Sequence, residues 1–143
     1  MAIEVRCIEH LSSEQRQSLN LLYGPLIGKN SICLYEFLGS IQNSVELEDV
    51  YLLLNINASQ FDIARNHLEQ YHLIETYVHE ADMLILLYAP LLPDSFLCHE
   101  TYSRLYLASV GAKCFDKVKA MLYKDKTVSS SYTKVESPLD VSI

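Results

Sequence analysis

Leu21-Leu22-Tyr23-Gly24-Pro25-Leu26-Ile27-Gly28, with Leu34-Tyr35-Glu36-Phe37-Leu38 close behind, is the stretch that decides the fold. Two apolar helical patterns meet there at a corner punctuated by Gly-Pro and Gly. Ser12 suits an N-cap, and Gln15 three positions later completes a capping box. Leu19, Leu22 and Tyr23 then recur at helical spacing. Pro25 has no N–H to donate and disfavours a helical Gly24, so the first helix is expected to end there. Gly28 can take backbone angles closed to other residues and is expected to open the second helix, with Asn30 or Ser31 as alternative caps. Leu26 and Ile27 are too apolar for a solvated loop and are expected to plug the space where the helices converge. Ile32, Leu34, Tyr35, Phe37, Leu38 and Ile41 give the second helix a face wide enough for a central core element.

Before the corner, Ile3, Val5 and Cys7 alternate with Glu4 and Arg6, as in a short half-buried strand or extended arm. Helices are expected over 13–23 and 29–41. Asn43-Ser44 breaks the pattern and caps a shorter helix in which Leu47, Val50, Tyr51 and Leu54 share a face. Asn57 opens the next helix with Gln60 at the capping-box position. Phe61, Ala64, Leu68 and Tyr71 form its buried stripe, leaving Gln60, Asp62, Arg65, Asn66 and Glu69 on or near the opposite side. The period then becomes extended: strands over 72–78 and 83–88 flank His79-Glu80-Ala81-Asp82 as a hairpin turn. Helix, short helix, helix, hairpin is the order of a winged helix, here a mainly α (α+β) domain with extra N-terminal and C-terminal helices and one β-hairpin wing. Pro90 and Pro93 end the hairpin, Asp94 or Ser95 starts a turn, and two helical segments follow over about 100–110 and 112–123, around Gly111. From Thr127 the composition turns to that of a linker. The expected organisation is a winged-helix domain over 1–125 and a flexible tail over 126–143, of the kind that leads to a further C-terminal domain.

Half of the 143 residues are hydrophobic and a fifth are charged, enough for one packed domain. The longest apolar run, Met83 to Leu92 with Pro90 inside it, is too short to span a bilayer. The start of the chain lacks the basic and apolar pattern of a secretory signal, so a cytoplasmic address is the default. Cys7, Cys33, Cys98 and Cys114 are widely spaced among apolar neighbours and are expected to be buried thiols rather than a disulfide or metal framework. The net charge of −7 is unevenly spread. Over 1–90, Arg6, Arg16, Lys29 and Arg65 face twelve Asp or Glu, a balance of −8. Over 104–126, Arg104, Lys113, Lys117, Lys119, Lys124 and Lys126 face Asp116 and Asp125, a balance of +4. Such asymmetry could steer self-association or grip an acidic partner; a solvated helix face is the plainer alternative.

Chemistry is hard to find. Gly24 to Ser31 superficially resembles a phosphate-binding loop, but only three residues separate its glycines and Asn30 follows the lysine. No nucleophile elbow, paired histidines on one helix turn or metal-site carboxylate pattern appears, so neither an enzyme nor a cofactor is expected. DNA binding is the obvious use of a winged helix and is carried here as the alternative, including a transcriptional regulator. Its candidate contacts are Gln60 and Arg65 on the presumed recognition helix and Lys113, Lys117 and Lys119 behind it. Arg65 is the one cation of that helix, beside Asp62 and Glu69, and the wing tip carries Glu80 and Asp82 where phosphate would want Lys or Arg. The hairpin argues instead for a protein partner. Met83, Ile85 and Leu87 face one way and Leu84, Leu86 and Tyr88 the other, so both faces need burial. Either the C-terminal helices cover the second face or another copy of the chain does. Ten tyrosines and the charge asymmetry favour the second copy, with Met83, Ile85, Leu86 and Tyr88 as the self-association residues.

Leu22-Tyr23-Gly24-Pro25-Leu26-Ile27-Gly28, followed by Leu34-Tyr35, resembles the N-terminal domain of DnaB/DnaD-type primosomal proteins. These are replication initiation and membrane attachment proteins of low-GC Gram-positive bacteria, distinct from the ring helicase that shares the DnaB name. The resemblance covers roughly residues 12–123. It implies a winged-helix domain that forms a homo-oligomer, dimer or tetramer, and meets other primosomal proteins while the replicative helicase is loaded. It also admits peripheral membrane association. DNA binding in that family belongs largely to a separate C-terminal domain with a Tyr-x-x-x-Ile-x-x-x-Trp motif. Tyr102, Tyr106 and Val110 reproduce that spacing without its residue types, and the chain has no tryptophan, so DNA is expected to be bound weakly or through another domain.

Overall fold

The computed structural model describes residues 1–122 together with Ser131, Thr133 and Val135. Its corner differs from expectation. α1 (Ser13–Gln17), capped by the Ser12–Gln15 box, does not stop at Gly24 but continues through a π-helical turn (Ser18–Tyr23) into α2 (Gly24–Ile27). Gly24 is itself helical, and its N–H reaches back to the Leu19 carbonyl. Pro25 stands in the first turn of α2, where a missing N–H is tolerated. The Leu21 carbonyl, four residues before Pro25, accepts instead from the Tyr106 hydroxyl at 2.9 Å. The break falls at Gly28, with φ 84° and ψ 165°, before α3 (Lys29–Ser40). Ile27 is buried as expected, but within a helix. Neither Asn30 nor Ser31 caps α3; the Ser31 hydroxyl donates to the Ile27 carbonyl at 2.7 Å.

Beyond α3 the chain forms a strand that local patterning does not signal. β2 (Ser44–Glu46) pairs antiparallel with β1 (Ala2–Cys7), and only then does α4 (Leu47–Leu54) begin, with Glu46 as its N-cap. α5 (Ala58–Gln70) starts from the expected Asn57–Gln60 capping box and buries Phe61, Ala64 and Leu68. The hairpin is β3 (Ile74–His79) and β4 (Asp82–Leu87) around a tight Glu80-Ala81 turn, with Glu80 at φ 56°. A short helix, α6 (Pro93–Cys98), stands where a turn was expected. α7 (Glu100–Leu122) is two helical segments meeting at Gly111, φ 84° and ψ 159°, as the glycine suggested. The expected tail over 126–143 lies outside the described residues, apart from Ser131, Thr133 and Val135.

The sheet order is β2-β1-β4-β3, with β1 parallel to β4. Its inner face contributes Ile3, Val5, Ile74, Ile85 and Leu87 to a core shared with Leu34, Tyr35, Leu38, Val50 and Leu68. A second aromatic centre joins the π turn to α6 and α7: the Tyr23 and Phe96 rings lie 4.9 Å apart, Tyr71 and Tyr102 5.3 Å, Phe96 and Tyr106 5.8 Å. The cysteines are not core thiols. All four are exposed, because residues adjacent in sequence point different ways on a helix: α3 buries Ser31, Leu34, Tyr35 and Leu38 and turns Cys33 out.

Candidate functional site

The hairpin's two faces have different fates. Ile85 is fully buried within its own protomer, Leu87 is buried beside it, and Met83 packs at the rim of the same core. Of the four residues expected to self-associate, Ile85 is therefore sealed inside and Met83 is partly so. Leu84, Leu86 and Tyr88 point outward and are half-buried. α7 packs on α2, α6 and the π turn, so the C-terminal helices take a different place from the one the sequence offered them over the hairpin.

What reaches this outer face is β1. The register sets Glu4 beside Leu84 and Arg6 beside Leu86, while Tyr77 and Glu75 stand opposite the same two leucines on β3. The result is mixed rather than wholly apolar. Arg6 pairs with Glu4 at 3.3 Å. The Glu75 carboxylate accepts from the Tyr77 hydroxyl at 3.3 Å and from the Tyr88 hydroxyl on its other oxygen. Its charge pushes the Tyr77 hydroxyl pKa up, and the hydrogen bond to it, ahead of burial, does the same for Tyr88. Toward the wing tip a cavity of about 360 Å³ opens between Glu4 and Ser44 on one side and Tyr77, Met83 and Leu84 on the other. Tyr77 belongs to this surface although the sequence does not point to it, and Leu84, which alternation places on this face, is not among the expected self-association residues. The pairing of β1 with β4 spans most of the domain's sequence, and no local signal announces it. The same pairing occupies one edge of β4, leaving β3 as the outer strand of the hairpin side.

The candidate nucleic-acid contacts lie on two helices, α5 and α7, and are partly engaged. The Gln60 side chain accepts from the Asn57 N–H at 2.9 Å as half of the capping box. Arg65 is bound to Glu69 at 2.8 Å along α5. Lys113, Lys117 and Lys119 are exposed on the second half of α7, Lys119 with its ammonium 5.6 Å from the Phe115 ring centre. α2 packs against both α5 and α7. His79, Glu80, Ala81 and Asp82 at the wing tip are all exposed, with no cation among them. Among the described residues no helix is long and apolar enough to cross a membrane.

No curated protein sequence matches the chain. Among solved structures it is similar to the primosome protein DnaB (residues 1–300) of Geobacillus stearothermophilus, at a TM-score of 0.79 and 26% identity. The match covers 95% of this chain and 56% of that one, so the chain spans little more than half of its solved relative. Residues 6–140 match the DnaB N-terminal winged helix domain, and the chain belongs to that family.

Proposed function

We propose that this chain is a non-enzymatic assembly module of a bacterial replication initiation protein, joined to a second copy of itself across the outer face of the four-stranded sheet. One observation carries the reading: Leu84, Leu86 and Tyr88 form a half-buried stripe along β4 and the residue after it, flanked by Tyr77, on the face of the sheet turned away from the core. Aromatic and aliphatic side chains ringed by polar groups suit an interface centre. Met83 at the rim joins the stripe; Ile85 supports it from inside. Within this reading, the domain works alongside other primosomal proteins and the replicative helicase. The DNA-binding alternative has less to stand on. Gln60 and Arg65 are committed to α5 itself, and the wing tip is acidic.

The test is light scattering on the wild type and Leu86→Glu. Burying a leucine of this kind in an interface stabilises by about 1.5–3 kcal/mol, so a buried carboxylate in its place should shift the variant toward monomer. Unchanged mass with native circular dichroism sinks the sheet-face interface. A parallel fluorescence titration with duplex oligonucleotide should show little binding at low salt. Strong binding that falls steeply as salt rises would favour the DNA-binding alternative instead.

A further inference from the structure

α4 is apolar on the side it buries and on the side it shows. Val50 is fully buried, and Leu47, Tyr51 and Leu54 pack against the same core. Yet Leu52 is 78% and Leu53 69% exposed. A surface helix ordinarily fills its outer side with polar groups. Here the outer side is divided along its length: Glu48 and Asp49 are exposed one turn before Leu52 and Leu53. Burial first, then the charges of Asp62 and Glu48, push the Tyr51 hydroxyl pKa up, so negative charge reaches this helix from α5 as well. Among the described residues, neither Glu48 nor Asp49 is held in an ion pair.

The second half of α7 is its counterpart. Lys113, Lys117 and Met121 recur at four-residue spacing and are exposed, Met121 at 53%. Among the described residues these two lysines form no ion pair either. α7 packs on α2, α6 and the π turn, whereas α4 packs on β2, so the two helices have different neighbours within one protomer. Each places its charge one turn ahead of its exposed apolar side chain. Laid side by side and parallel, two such helices bring carboxylate to ammonium and leucine to methionine.

We propose that the outer face of α4 docks the second half of α7 from another copy of this chain. The contact is head-to-tail and separate from the sheet face, so it extends an assembly instead of closing a two-fold dimer. The test is a charge exchange read by light scattering over a concentration series. One variant carries Glu48→Lys and Asp49→Lys; the other carries Lys113→Glu and Lys117→Glu. Each alone should self-associate about tenfold more weakly than wild type, because like charges then face each other. An equimolar mixture should regain the wild-type mass, since each altered helix meets its complement. A third variant, Leu52→Gln with Leu53→Gln, keeps the charges and helix propensity and should by itself lose association. Wild-type mass in either charge variant, as expected if the chain's own tail covers α4, overturns the proposal. So does a loss in the charge variants that their equimolar mixture fails to repair.

Discussion

Proline inside a helix orphans the carbonyl four residues before it, and a buried orphan is expensive. For Leu21 the remedy is the Tyr106 hydroxyl, delivered from α7. Other tyrosines act alike: Tyr35 donates to the Tyr88 carbonyl at 2.6 Å, and the Tyr23 hydroxyl accepts from the Leu91 N–H at 3.0 Å. Three of the ten tyrosines, a count taken in sequence as a mark of an interface, thus fasten backbone inside the protomer. Tyr106→Phe should keep the ring packing against Phe96 and lose only the bond to Leu21. We expect a cost of about 1–3 kcal/mol, read as a lower urea midpoint at unchanged slope. Tyr102→Phe is the comparison, since its hydroxyl lies a long 3.4 Å from the Tyr71 carbonyl and should matter little. Equal effects from the two would remove the special dependence of the π turn on α7.

Helix ends show which parts of this fold are local and which are not. The Ser12–Gln15 and Asn57–Gln60 boxes, and the breaks at Gly28 and Gly111, form where the residues require them, because each motif closes within a few positions. The course of the chain past Pro25, the strand at β2 and the place of β1 beside β4 were not legible, because each depends on a distant partner. The same division separates the site: β4 could be read as a two-faced strand, but not the Glu4 and Arg6 set against it. Two glycines test the local account with opposite signs. Gly28 sits in a conformation nearly closed to other residues, with no atom near enough to hinder an added Cβ. Gly28→Ala should therefore cost about 1–3 kcal/mol through backbone strain alone. Gly39, helical in α3 and equally unobstructed, is the converse. Gly39→Ala should stabilise by about 0.4–1 kcal/mol, chiefly by restricting the unfolded chain. Thermal unfolding of the pair decides it, and two shifts of the same sign would contradict the argument.

The aromatic centre ties the elements of the molecule together, and on that ground we expect it to unfold as one unit. Tyr23 lies within ring-contact distance of Tyr71 from the end of α5, Phe96 from α6 and Tyr102 from α7, and its hydroxyl holds the chain after β4 through Leu91. Burial raises its pKa from 10.0 to about 12, and burial likewise raises that of Tyr35 beneath the sheet. A raised tyrosine pKa means that the folded state favours the neutral hydroxyl. That stabilisation is complete below the unfolded pKa and drains away as pH climbs through the folded one. For Tyr23 the window runs from 10.0 to about 12. The urea midpoint should then stay nearly level on the approach to that window and fall within it. Tyr77 and Tyr88, on the outer face of the sheet, are raised mainly by Glu75 and are not sealed in the core. Their ionisation should be visible by ultraviolet absorbance without unfolding. Loss of helical circular dichroism should instead coincide with ionisation of the buried tyrosines, in one transition covering the sheet side and the α6–α7 side together. Two separate transitions would mean that α6 and α7 come away from the sheet-bearing half, and that Tyr23 does not unite them.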